Sequence, residues 1–182
     1  MLLRRWCASD REPFATINAD ARVMEHYPAT LSRERSDALV ERFEACFEKR
    51  GYGLWAVEIP GERSLAGYVG LFPVEIEVAF APAVELGWHL AHECWGRGIA
   101  YEAATASTAF AFERLGLEEL VAYTAAVNER SRRLMERLGM TRDPAEDFIH
   151  PSREVQGRLA AHVLYRLRRC AGATPTPPDP KN

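Results

Sequence analysis

Trp95, Gly96, Arg97, Gly98, Ile99 and Ala100 stand between a firm strand pattern at 84–90 and a helical pattern from about Ile99 to Leu115. Two glycines and a small alanine at such a junction strip side chains from the backbone. Successive N–H groups can then face one ligand, and the helix start adds its positive dipole end. The segment therefore reads as an anion site that a pyrophosphate fits, or more plainly as a tight loop opening a helix. It is not a P-loop, for no Gly-Lys-Ser/Thr follows, and it is not the GxGxxG dinucleotide fingerprint.

The remaining pattern places this junction within an alternation of strands and helices. Strands are expected at Leu2 to Cys7, 54–59, 65–71, 84–90, 120–124 and 162–167, with a hairpin turn at 60–63. Asp10 is a cap for a short helix with Pro13 in its first turn, and Asp20 for another that Pro28 ends. Ser32 to Arg50 is the clearest early helix, since Leu39, Phe43 and Phe47 recur at i, i+4 and i+8. Asn128 to Leu138 is a further helix, closed by Gly139. Gly67 and Gly70 inside a strand point to close backbone approach. Residues 72–83 alternate like a strand, yet Pro73 and Pro82 bracket them. The expected class is an α/β layer fold, α+β in some schemes. It is read as one domain over 1–170, with 171–182 as a disordered tail that lacks core-forming residues.

Composition narrows the function classes. The chain has 182 residues, 47% of them hydrophobic and 27% charged, which suits one packed core. Lys+Arg is 23 against Asp+Glu at 26, a net charge of −3, which excludes an overtly polybasic nucleic-acid binder. The four cysteines show no CxxC spacing, and no apolar run reaches the roughly 18 residues that span a bilayer. A soluble protein in a reducing cytoplasmic setting is the expectation, with no membrane partner.

Three blocks carry a resemblance: 85–90 (Glu-Leu-Gly-Trp-His-Leu), 95–103 (Trp-Gly-Arg-Gly-Ile-Ala-Tyr-Glu-Ala) and 124–140 (Thr-Ala-Ala-Val-Asn-Glu-Arg-Ser through Gly-Met). Together they resemble the GCN5-related N-acetyltransferases, most closely the branch of ribosomal-protein N-terminal acetyltransferases. The resemblance covers about residues 2–168. It implies a central mixed, mostly antiparallel sheet flanked by helices, with a splayed parallel strand pair, here 84–90 and 120–124. It implies acetyl-CoA as donor and a primary amine as acceptor, either a protein N-terminus or a small molecule. The pantetheine arm would pair with the free edge of the first strand, at Leu86, Gly87, Trp88, His89 and Leu90. The pyrophosphate would lie on the backbone of Gly96, Gly98, Ile99 and Ala100, with Trp95 at the usual Gln or Arg position and Arg97 as an electrostatic helper. By resemblance Asn128 approaches the pantetheine.

Glu85 is the candidate general base, because an amine must be neutral to attack a thioester; the plainer reading is a salt-bridged or solvent-facing strand residue. Ser131 lies where the resembled branch puts a hydroxyl near the acetyl sulfur, and Leu134 and Met135 occupy the later positions where many relatives carry Tyr. Asn128 also reads as an ordinary N-cap and Ser131 as a helix-surface serine. Trp55, Tyr68, Trp88 and the aromatic 27–52 region are candidates for the acceptor pocket or for core. Asp147, Phe148 and His150 are placed to reach the acceptor side.

His89, His92 and Cys94 are compact, but no fourth ligand stands near them, and no metal is expected. A non-catalytic acyl-CoA-binding or sensor protein is the alternative reading. Direct nucleic-acid binding through Arg130, Arg132 and Arg133 is disfavoured, since these arginines read as an exposed face with Glu129 and Glu136. A homodimer is compatible with the sequence, and nothing in it chooses the amine.

Overall fold

A computed structural model describes residues 1–169. Cys170 and the expected tail at 171–182 lie outside the described residues. The chain builds a seven-stranded sheet in the order β1-β2-β3-β4-β5-β7-β6. The strands are β1 Leu2–Arg4, β2 Leu54–Ile59, β3 Arg63–Pro73, β4 Val84–Leu90, β5 Glu119–Ala125, β6 Phe148–Ile149 and β7 Ala161–Arg168. Every pairing is antiparallel except β4 with β5. Four helices flank it: α1 Arg11–Ala19, α2 Arg33–Arg50, α3 Ile99–Ala109 and α4 Glu129–Arg137.

The caps explain the helix limits. Ser32 accepts the Arg35 N–H at the start of α2, and Gly51 at φ 73° ends it in the left-handed conformation. Asn128 accepts the Ser131 N–H at 3.1 Å and caps α4. The apolar stripe of α2 meets α1 and the sheet in an aromatic cluster. Phe14 and Phe43 pack edge-on against Tyr68, and Trp6 packs on both while its indole N–H donates to Leu54 O at 2.7 Å. On the other face Ala103 and Ala104 of α3 are fully buried, and their small size lets the helix lie close on β3 and β4.

Several expectations are corrected. The first strand ends at Arg4 rather than Cys7, because Cys7 opens a 3-10 turn at Ala8–Asp10. Asp10 precedes α1, but its carboxylate accepts the Cys7 N–H and the Arg4 guanidinium instead of capping the helix. The helix expected after Asp20 is a pair of turns, closed by Met24 N–H to Asp20 O and Tyr27 N–H to Met24 O. The Asp20 side chain accepts the Arg22 N–H. The long helix is α-helical only to Ala109; Phe110–Arg114 widens into a π-turn, with Leu115 N–H reaching Phe110 O. The ambiguous 72–83 stretch gives two residues to β3, and 74–83 is a loop.

Two glycines in β3 set how closely the sheet can pack. A Cβ on Gly67, at φ 132°, would lie 2.1 Å from His89 O, and one on Gly70 would lie 2.4 Å from Gly53 O. The obstacles are backbone, so they cannot swing aside. Gly67→Ala is expected to cost about 3 kcal/mol and lower Tm by roughly 6–12 °C. Gly61→Ala meets no neighbour within 4 Å and should lose only the left-handed penalty, about 1 kcal/mol. Thermal unfolding of both variants checks the contrast; equal losses would contradict it.

Candidate active site

The parallel pair β4–β5 is in register only at Glu85 with Val121. Beyond that point the strands part, and β4 from Gly87 to Leu90 has no ladder partner on its β5 side. The gap opens into a cleft of about 820 Å³. Leu86, Gly87, Trp88, His89, Leu90, Trp95, Gly96, Gly98, Ile99, Ala100, Asn128, Ser131 and Glu85 all line it. Sequence-distant candidates are thus brought to one space.

At one end lies the glycine junction. Gly96 and Gly98 adopt φ 71° and 81°, and a Cβ on either would meet nothing within 4 Å, so the ground above them is open. The first bond into α3 runs from Glu102 N–H to Gly98 O. Among the described residues, the backbone N–H groups of 96–101 donate to no protein acceptor. Arrayed at a helix start, unpaired amides form an anion cradle. Trp95 braces the junction: its indole N–H donates to Leu90 O at 2.9 Å, and the Arg130 guanidinium lies 3.9 Å from its ring centre. Arg137 lies over Tyr101 at 4.0 Å. Both arginines line the cleft, and neither makes an ion pair among the described residues. Sequence reasoning missed them: it reads Arg130, with Arg132 and Arg133, as a solvated face and does not single out Arg137. The available signal was that Arg130 and Arg137, seven apart, share one helix face. The Arg97 side chain is not brought to the cleft. Its guanidinium is held on Glu62 in a two-pronged pair at 2.6 and 2.7 Å.

At the other end Glu85 sits on the β4 face that carries Gly87 and His89, opposite Phe72 in the β3 register. The surrounding wall is largely aromatic, with Tyr27, Tyr68, Phe72 and Tyr123. Loss of water pushes its carboxyl up to about 7, against a lowering by the neighbouring Tyr123 hydroxyl and the Arg42 charge. A group titrating there exchanges protons near neutral pH. Tyr123 is raised by burial and by the adjacent Glu85 charge. Arg42 is paired with Glu75 and lies over the Phe72 ring at 4.9 Å.

Between the ends, Ser131 is 9% exposed and its hydroxyl has no protein partner among the described residues. Asn128 is the N-cap, and its Nδ2 also donates to Thr124 Oγ1 at 3.0 Å. The His89 side chain is held by α1 and the 20–27 turns: Nε2 is 2.9 Å from Asn18 Oδ1 and Nδ1 is 3.3 Å from the Tyr27 hydroxyl. Of the other candidates, Tyr68, Trp88 and His150 line the cleft, as do Tyr27, Leu39 and Phe43 from the 27–52 region. Trp55 instead packs between Phe47 and Phe110. Asp147 pairs with Arg142, and Phe148 packs edge-on against Phe80 and Tyr123. His92 lies beside Trp95, and Cys94 is buried. No group of three or more potential metal ligands occurs among the described residues.

A family model described as "Acetyltransferase (GNAT) domain" matches residues 1–141, most of the chain. The chain belongs to the GNAT acetyltransferase family. Curated relatives include the Bacillus subtilis uncharacterized protein YkkB, 28% identical over 76% of this chain and 81% of that protein. They also include the uncharacterized N-acetyltransferase YoaA of the same organism, 26% identical over 79% and 80%. The GNAT fold is shared with solved structures. The acetyltransferase of Agrobacterium tumefaciens C58 superposes with a TM-score of 0.75 at 26% identity, covering 92% of this chain and 90% of that one. A Brucella melitensis ribosomal-protein-alanine N-acetyltransferase and a Vibrio cholerae spermidine N-acetyltransferase each reach a TM-score of 0.70 at 20% identity. The first covers 93% of this chain and all of its own; the second covers 92% and 94%. These likenesses are equal in strength, and so the ribosomal-protein branch is not set apart from others. No helix among the described residues is long and apolar enough to cross a membrane.

The raised Glu85 carboxyl has a thermodynamic consequence. Its proton is held more tightly in the folded chain than in the unfolded one, where the carboxyl titrates near 4.5. The folded state therefore loses stability as pH rises from about 4.5 through about 7. Glu85→Gln should lack this loss. It should match the wild type near pH 4.5 and exceed it at pH 8 by about 3 kcal/mol. Denaturant unfolding at both pH values checks it; a gap independent of pH would contradict the Glu85 environment.

Proposed function

We propose that this GNAT protein is an acetyl-CoA-dependent N-acetyltransferase that moves an acetyl group directly to a primary amine. The observation that carries the reading is one cleft with six unpaired amides at one end and a desolvated carboxyl at the other. Acetyl-CoA fits the first end. Its pyrophosphate has donors at Gly96, Gly98, Ile99 and Ala100, with Arg130 and Arg137 adding positive charge. Its pantetheine has the unpaired edge of β4, Leu86 to Leu90, to run along, with Asn128 and Trp88 beside it. Arg97, engaged by Glu62, contributes long-range charge only.

The chemistry assigns two side chains. Glu85 takes the extra proton of the acceptor ammonium and passes it to water; the neutral nitrogen then attacks the thioester carbonyl, and Glu85 takes a second N–H proton as the C–N bond forms. As the C–S bond breaks, the Ser131 hydroxyl hydrogen-bonds or protonates the leaving thiolate, regaining any proton it gives from water. Burial suits Glu85 to this task, because a carboxyl near 7 both accepts and releases protons at neutral pH. We assign the acceptor to primary amines, protein N-termini or small molecules, and include the ribosomal-protein type because Trp95 and Ser131 match that branch. The whole activity is assigned to one unit over 1–170, in a reducing cytoplasmic setting that suits the free thiols of Cys7, Cys46 and Cys94.

A CoA-release screen over peptide N-termini, polyamines and aminoglycosides tests the reading. With the best acceptor, Glu85→Gln should retain acetyl-CoA binding and lose turnover by roughly 100-fold, less at high pH where the amine is already neutral. Ser131→Ala should lose turnover in a way that shrinks when the leaving thiol has a lower pKa. Acetyl-CoA binding by calorimetry without turnover on the whole panel would instead support a non-catalytic acyl-CoA binder.

A further inference from the structure

A chain of polar side chains runs from the core to the acceptor end of the cleft, and its donors can be ordered. Asn18 is 1% exposed, and its Nδ2 donates to Ser36 Oγ at 2.8 Å. Its Oδ1 therefore faces His89 Nε2 at 2.9 Å and can only accept. His89 Nε2 must carry the hydrogen, which leaves Nδ1 bare. The group 3.3 Å from Nδ1 is the Tyr27 hydroxyl, so Tyr27 donates to His89. The ring of His89, 6% exposed, is clamped against Tyr68 at 5.3 Å and 21°, and against Phe14 and Tyr27 edge-on. Burial pulls its pKa down to about 4, so the ring stays neutral at working pH.

A phenol oxygen has one hydrogen and two lone pairs. The Tyr27 hydrogen is spent on His89. What remains is lone pairs only, on a residue that is 40% exposed and lines the cleft in the charge field of Glu85. Tyr27 can offer that space an acceptor and no donor.

We propose that Tyr27 is a specificity-determining contact for the acceptor, its oxygen taking a hydrogen bond from the amine N–H while Glu85 takes the proton. His89 is a positioning residue that acts through Tyr27. This rests on the acetyl-transfer reading and sharpens it. A neutral primary amine attacking through its lone pair has two N–H bonds, one for each oxygen. A secondary amine has one and must leave Tyr27 unpaired. The cleft is thereby selective for unsubstituted primary amines by hydrogen-bond count.

The test pairs kinetics with a structural readout. Acetylation is measured for a short alanine-initiated peptide and its N-methylalanine counterpart, and for benzylamine and N-methylbenzylamine. The wild type should prefer the primary member, and Tyr27→Phe should cut that preference about fivefold to tenfold, the worth of one hydrogen bond. The loss should fall on the KM for amine, with the KM for acetyl-CoA unchanged. Imidazole nitrogen NMR of the full chain should show His89 protonated at Nε2 and bare at Nδ1, with Nδ1 shifting in Tyr27→Phe. An unchanged preference in a folded Tyr27→Phe protein, or a His89 protonated at Nδ1, would overturn the Tyr27 contact alone. A wild type with the expected His89 signals that acetylates no primary amine would overturn the acetyl-transfer reading, and the acceptor contact with it.

Discussion

Strands β4 and β5 run side by side in parallel yet share register at one point, where Glu85 meets Val121. Most of what the molecule can do depends on that early parting. A fully zipped pair would consume the β4 edge from Gly87 to Leu90 and close the space between α3 and α4. Because the strands diverge toward their C-terminal ends, the start of α3 and the start of α4 face one cleft. Unpaired amides and the Arg130 and Arg137 side chains of α4 gather at one end, and the carboxyl stands at the last point of contact. The gap is held open by rigid neighbours: β3 pairs with β4 along its whole length, and β7 pairs with all of β5.

The ends of the cleft are electrostatic opposites, and each is set by what surrounds it. At the glycine end, donors without acceptors among the described residues, and the guanidinium groups of Arg130 and Arg137, which make no ion pair among them, favour negative charge. At the aromatic end, Tyr27, Tyr68, Phe72 and Tyr123 exclude water, and Glu85 resists ionisation. Arg42 and Tyr123 temper that resistance, leaving the carboxyl near neutrality and not fully protonated. The buried Asn18–His89–Tyr27 line fixes hydroxyl orientation at the same end. A donor molecule with anionic phosphates and an acceptor with a titrating amine thus find different surroundings a short way apart.

Much of this was legible in the residues. The glycine junction, strand 84–90 and the α2 stripe of Leu39, Phe43 and Phe47 are local patterns, and each stands where periodicity or turn chemistry puts it. The family resemblance brought Glu85, Asn128 and Ser131 together; spacing could not, since β4 and α4 are some forty residues apart. What stayed hidden depends on tertiary partners. Nothing local tells that Glu62 would claim Arg97, that Arg130 would settle on Trp95, or that Trp55 would pack under Phe110. The 20–27 turns defeat the capping signal of Asp20, because its carboxylate is drawn to Arg22. Two-residue β6 is too short to carry a period and exists only because β7 offers it an edge. His89 reads from the sequence as a cofactor-strand residue, and its bond to Asn18, 71 positions away, is invisible to any window.

The central claim is that acetyl-CoA lies in the β4–β5 gap with its pyrophosphate on the amides of 96–101. Amide hydrogen exchange with and without saturating acetyl-CoA tests it most directly. The account predicts slowed exchange at Gly96 to Tyr101 and along Gly87 to Leu90, with the remote β1–β2 edge unchanged. Protection that left Gly96 to Tyr101 at their free rates, or that appeared elsewhere in the sheet, would contradict it.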